Sequence, residues 1–226
     1  MVTGSFKGGR SFDRLINFSD AVVAVAITVL VLPIADITLA RGEDSVWKVL
    51  ADHAGEVITF FFTFFVVSIL WLTHNRIMNQ MRGYDGVFFW LNTAWLAGIA
   101  FLPVTSALYS DGGANGVSGW FSGENLGGSG MLYWGSLSLI SFMSTLMSVH
   151  ARKNPHLYDQ EQHGGHTWQS TTRGWMYTVY FLVVGVVSLF STAVSSYLPI
   201  GLIFLQFILK RNEFSSDEDE EQAIPR

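Results

Sequence analysis

The length of the apolar runs constrains this chain more than any other feature. They are Leu15–Ala35, Val57–His74, Val87–Tyr109, Met131–Val149 and Trp175–Val194, followed by a shorter one, Tyr197–Leu209. A bilayer core of about 30 Å is crossed by roughly 20 residues of helix rising about 1.5 Å each. Each of the first five runs suits one crossing. Trp175–Leu209 read as a single run has 35 residues and would make a helix of about 52 Å, too long for one ordinary span. Ser195-Ser196 and Pro199 supply a place to turn, so two spans fit better. With half the residues hydrophobic, no second, soluble domain fits in what remains. The predicted fold class is an all-α membrane protein with six transmembrane helices per subunit.

Basic residues set the orientation. With the N-terminus inside, six spans leave Lys7, Arg10, Arg14, Arg76, Arg82, Arg152, Lys153, Arg173, Lys210, Arg211 and Arg226 cytoplasmic, and only Arg41 and Lys48 outside. Five spans would put Lys210 and Arg211 on the wrong side. The expected organisation is a cytoplasmic N-terminus (1–13), a six-helix transmembrane domain (14–211) and an acidic cytoplasmic tail (212–226). The basic start resembles a signal peptide, but the apolar stretch after it is too long and no small-residue cleavage site follows, so it is expected to remain as the first helix. The net charge of -5 matches what the acidic run Asp217–Glu221 alone supplies, so it identifies no partner, and nucleic acid is not one. The chain has no cysteine, which excludes disulfides, thiol nucleophiles and thiolate metal sites.

Between the spans, Ser45–Glu56 has the spacing of a short surface helix, and Ser110–Gly130 is glycine-rich and expected to be irregular. Ala151–Arg173 is the main cytoplasmic loop. The tryptophans are expected mostly to flank the spans as interfacial anchors. Without an internal repeat, a closed pore requires several copies of the chain.

Ionisable groups at membrane depth cost several kcal/mol and need a reason to be there. Asp20 lies five residues inside the first run, about 7–8 Å along the axis. Arg14 is six residues away, about 240° round the helix, so the two cannot form a simple i, i+4 pair. The donors expected at the same level are Trp71, His74 and Asn75 at the end of the second span and Asn92 early in the third, with Arg14 snorkelling or pairing nearby. Such a network also serves as plain glue between helices.

Arg14-x-x-x-Phe18-Ser19-Asp20, followed by the apolar run Ala24–Leu32, resembles the first-helix signature of the transmembrane protein 175 family. Trp71-Leu-Thr-His74 and Phe101-Leu-Pro-Val-Thr105 extend the resemblance. These proteins are potassium channels of lysosomes and of many bacteria. The resemblance implies a homotetrameric pore lined by the first helix, in a bacterial plasma membrane, with both termini cytoplasmic, potassium as the permeant ion and no cofactor. It places Val25, Val29 and Leu32 at the gate and Thr28 at the selectivity position. Arg14, Phe18, Ser19 and Asp20 then shape the cytoplasmic end, with His74 as network partner.

The spacing of Val25, Thr28, Val29 and Leu32 makes one helical stripe. Four copies would form apolar rings that close a pore by excluding water, and hydroxyls that replace part of an ion's hydration shell. A stripe of this kind is also common in plain helix packing. Two departures from the family stand out: Val25 and Val29 where Ile or Leu is usual, and Pro33 after Leu32, which predicts a kink or early end to the helix. No Thr-Val-Gly-Tyr-Gly stretch is present, so a carbonyl-lined filter is not the selectivity device.

Three functions compete. The first is a potassium-favouring cation channel. The second is a proton-coupled carrier using Asp20 and His74, although such carriers usually show internal symmetry. The third is a structural membrane subunit. Ser138, Ser141, Thr145 and Ser148 read as a helix seam before they read as a second water path. His150, His156, His163 and His166 make a weak metal set, and no site is assigned to a metal. No catalytic constellation is found, and the chain is not expected to be an enzyme.

Overall fold

The computed structural model describes residues 6–40, 45–110, 127–157, 167–190 and Gly201. They form α1 (Arg10–Val29), α2 (Leu32–Ala40), α3 (Val46–Asp52), α4 (Ala54–Asn79), α5 (Gly86–Ser110), α6 (Gly127–Lys153) and α7 (Thr167–Phe190). Two short strands, β1 (Lys7–Gly8) and β2 (Gly83–Tyr84), pair antiparallel, with Lys7 opposite Tyr84 and Gly8 opposite Gly83. Five segments are long and apolar enough to cross a membrane: Arg10–Asp36, Ala54–Asn79, Gly86–Ser110, Gly128–Lys153 and Thr171–Phe190. The expected sixth span, the turn at Ser195–Pro199 and the acidic tail lie outside the described residues, apart from Gly201. That glycine is helical, and a Cβ added to it would stand 3.0 Å from the Tyr180 hydroxyl of α7.

The first helix starts earlier than its apolar run. Gly9, at φ 58°, turns the chain into α1, and the Gly9 carbonyl accepts from the Phe12 and Asp13 amides. Positive φ is open to glycine at little cost. Along α1 the buried positions are Phe12, Leu15, Ser19, Val23 and Ala26, the spacing of one helical face. The interruption predicted at Pro33 is present, placed slightly earlier. Leu30 and Val31 leave the helix in a tight turn, with the Val31 amide bonding Thr28 at 3.3 Å. Pro33 sits in the first turn of α2, where its missing N–H has no helical partner to lose.

Several expected boundaries shift. The surface helix ends at Asp52, capped at its start by the Ser45 hydroxyl, and His53 is the corner into α4. Glu56 therefore belongs to the spanning helix. The Gly127–Gly130 end of the glycine-rich connection is helical, while 111–126 lie outside the described residues. Of these glycines Gly130 serves close packing, a Cβ there coming within 2.9 Å of Ser188, and Gly185 of α7 does the same against the Met131 sulfur at 3.1 Å. Small residues let membrane helices approach each other in this way. The expected loop Ala151–Arg173 is likewise helical at both ends, with a 3-10 turn at Pro155–Leu157.

The core lies between α5, α6 and α7, with α4 against its side. Trp95 and Trp134 are fully buried there, so these two are not interfacial anchors. Tyr109 stacks on Tyr133 at 4.9 Å, and the Tyr133 hydroxyl shares a 2.7 Å hydrogen bond with Thr63 of α4. A buried hydroxyl needs such a partner.

Candidate functional site

Opposite its buried face, α1 presents Phe18, Ala21, Ala24, Val25, Thr28 and Val29, all exposed. Val25 is 62% exposed and Val29 36%. Leu32, 54% exposed, opens α2 just beyond the break. The Thr28 hydroxyl donates to the Val25 carbonyl at 2.8 Å. Its hydrogen is thereby committed to the backbone, and its oxygen lone pairs remain to accept.

The expected polar network exists as two separate arms on adjacent residues. In one, the Trp71 indole donates to Asp20 Oδ1 at 2.8 Å. In the other, His74 Nε2 donates to Asn92 Oδ1 at 2.7 Å, Asn92 Nδ2 donates to Ser19 Oγ at 3.1 Å, and Ser19 donates to the Leu15 carbonyl at 2.9 Å. Ser19, His74 and Asn92 are buried, and the His74 ring stacks on Trp95 at 4.0 Å. Ser19 and Asp20 are about 100° apart on α1, so Ser19 bonds Asn92 of α5 and reaches α4 only through it, while Asp20 bonds Trp71 of α4 directly.

Three expectations need correcting. Asp20 is only part-buried, and Trp71 is its sole hydrogen-bond partner among the described residues. Asn75 bonds Asn79 of its own helix, at 3.0 Å. One residue past His74, it faces about 100° away and cannot share the same contacts. Arg14 is exposed and forms no hydrogen bond or ion pair among the described residues.

A second cluster at the same end was missed in the sequence. Asp85 accepts from the Phe88 amide at 2.8 Å, capping α5, and from His150 Nε2 of α6 at 2.9 and 3.1 Å. Asn154 holds the other side of this histidine, donating to the His150 carbonyl at 2.8 Å. Partial burial pushes the Asp85 carboxyl up. The Phe88 amide, the His150 hydrogen bond and the nearby His150 and His156 outweigh it and hold the group below its ordinary range. An aspartate two residues before the apolar run Val87–Tyr109 was the available signal. The Arg82 amide donates to the Leu157 carbonyl at 2.9 Å, so this end joins β1, β2, the 3-10 turn and α6. His163 and His166 lie outside the described residues. Among those described, no group of three or more His, Cys, Asp or Glu could hold a metal.

Comparison with known proteins points the same way as this geometry. Residues 14–103 match the family model described as endosomal/lysosomal potassium channel TMEM175. An endosomal/lysosomal proton channel TMEM175 from Danio rerio is 30% identical over 111 residues, covering 47% of this chain and 21% of that protein. A potassium channel from Streptomyces collinus is 29% identical over 98 residues, 43% of this chain and 47% of its own. The matches thus span about a fifth of the animal relative and under half of the bacterial one. Among solved structures, a lysosomal potassium-selective channel TMEM175 homolog from Chamaesiphon minutus superposes with a TM-score of 0.70 at 22% identity, over 89% of this chain and 99% of that one. That likeness shows a shared fold of membrane-crossing helices. Over residues 14–103, which carry the first-helix signature, the chain is similar to the TMEM175 family.

Proposed function

We propose that this chain is a potassium-favouring cation channel in which four copies turn the exposed face of α1 toward a common axis. The observation that carries this reading is the stripe itself. Val25, Thr28 and Val29 are apolar or weakly polar, stand on one face, and are exposed with respect to the described helices of their own subunit. In four copies, Val25 and Val29 form apolar rings that exclude water, and Thr28 offers oxygen lone pairs between them. Leu32 adds a further ring at the start of α2.

The rest of the assignment follows from charge and packing. Arg10, Arg14, Arg76, Arg82, Arg152, Lys153 and Arg173 gather at one end of the bundle, and Lys48 is the basic residue at the other among the described residues. The positive-inside tendency makes the first end cytoplasmic in a bacterial plasma membrane. Gly201 packed against Tyr180 supports a sixth span returning along α7, within a channel domain of residues 14–211. Ser19, Asp20, Trp71, His74 and Asn92 hold the cytoplasmic end of α1 in place. The carrier alternative needs Asp20 and His74 to work as a relay, and they share no hydrogen bond among the described residues.

The test is reconstitution into potassium-loaded liposomes, followed by reversal potentials under bi-ionic potassium and sodium conditions. The expected result is dissipation of the gradient with a potassium preference. Because the chain has no native cysteine, single cysteines at positions 25, 28 and 29 can be probed without background. A water-soluble thiol reagent should reach them and reduce flux. No flux from well-inserted protein, or cysteines reachable only from lipid, would remove the channel reading.

A further inference from the structure

Away from α1, a half-enclosed cleft lies between α4, α6 and α7. Its walls are Val66, Ile69 and Leu70 of α4 and the rings of Tyr177 and Phe181 of α7. Besides Tyr177, three hydroxyl residues line it: Thr73, Ser141 and Ser144. The Thr73 hydroxyl donates to the Ile69 carbonyl, so its hydrogen is already committed. Those of Ser141 and Ser144 on α6 are not: both side chains are at least nine-tenths buried, at 3% and 5% exposure, and neither Oγ has a hydrogen-bond partner among the described residues. At Gly174 a Cβ would run into the Thr145 hydroxyl, and α6 and α7 stay in contact beyond it through the Ser138 hydrogen bond to the Thr178 carbonyl, so the cleft opens on the α4 side of this seam.

Two uncommitted hydroxyls one turn apart in an apolar cleft are an unusual expense. A buried hydroxyl left unpaired costs roughly 1–3 kcal/mol, and helical serines ordinarily avoid this by bonding back to their own carbonyls. Thr145 and Ser148, on the same helix, do bond back. We propose that the cleft is a binding site for a neutral, bilayer-dissolved amphiphile of the alcohol or phenol class, whose hydroxyl bonds Ser141 and Ser144 while its apolar body lies against α4 and α7.

Each part of that ligand class has a structural reason. A hydroxyl both donates and accepts, as two serines require. Among the described residues no charged side chain lines the cleft, and Ser141 stands 12 residues, about 18 Å, from the basic end of α6. At that depth an ionised group would be costly. A bare acyl chain would leave both serines unpaired. Small-molecule sites are mostly apolar with a few placed polar groups, and the lining here has that character. The site is independent of the central pore, and its test does not rely on conduction.

The experiment uses the full chain in liposomes, photolabelled with 3-azioctanol, with adducts mapped by peptide mass. The site predicts adducts concentrated on cleft residues of α4, α6 and α7 and suppressed by excess octanol. In the Ser141→Ala/Ser144→Ala variant, octanol should protect roughly tenfold less well, the loss of two hydrogen bonds. That variant removes unpaired groups and should fold. Ile69→Trp, which fills the cleft, should abolish site labelling independently. The proposal is overturned if label spreads over outward-facing Phe61, Phe65 and Leu182 without competition, or if the serine variant protects as well as the native chain. It is also overturned if a photoreactive alkane without a hydroxyl labels the cleft equally.

Discussion

Asn92 uses both ends of its amide, the oxygen on His74 and the nitrogen on Ser19, with no exposure to solvent. Asn92→Leu would leave a buried imidazole N–H and a buried serine short of partners, a loss of about 1–3 kcal/mol. Trp71→Phe removes one bond to an aspartate that water still reaches, and should cost less, about 0.5–1.5 kcal/mol. Unfolding by detergent titration would rank the two, and the reverse order would mean that the His74–Asn92–Ser19 arm is not a principal tie. The sequence made these residue types and their common level legible, because polar groups inside apolar runs stand out. It did not show which pairs form. Pairing depends on the rotation of each helix about its own axis, which depends on side chains such as Trp95 that look like ordinary core residues. The misassignment of Asn75 needed no structure to avoid, since helical geometry turns it away from His74.

At the level of elements, the β1–β2 pair ties the entrance of α1 to the α4–α5 connection. It is too short to show any strand periodicity, and so had no signature beyond its glycines. A Cβ at Gly83 would stand 2.5 Å from the Lys7 carbonyl and 2.7 Å from the Phe6 ring. Gly83→Val should therefore open the pair, and hydrogen exchange at residues 7–9 should rise to the level of an unpaired segment while α5 stays protected. The Asp85–His150 tie predicts a pH effect of definite sign. A carboxyl held below its ordinary range contributes stability that is present above its unfolded pKa, about 3.9, and is lost as pH falls through the lower folded value. Acidification below about pH 4 should loosen the α5–α6 contact at this end, and Asp85→Asn should flatten that dependence. Melting temperature measured against pH in detergent checks both.

For the whole molecule, run length and hydropathy were enough to foresee the five described spans, because a bilayer accepts little other than helices of this length. The extra helical turns at their ends were harder to see: they carry charged or glycine residues and are specified by neighbours rather than by the membrane. Assembly is where the proposed function has its largest consequence. A cysteine at Val25 should give disulfide-linked dimers between subunits if the four stripes share an axis, and none if they face lipid; denaturing gels resolve the two. Val29→Asn should raise potassium leak several-fold by wetting an apolar ring, and liposome flux measures it.

The interruption at Leu30–Val31 has a mechanical meaning as well. Pro33 cannot supply the amide that would have bonded the Val29 carbonyl, so the rod carrying Thr28 and the rod beginning at Leu32 are joined by a pivot. In the proposed four-copy pore, the ring at Thr28 and the ring at Leu32 therefore belong to separate helices, and a substitution at one is expected to leave the other's width unchanged.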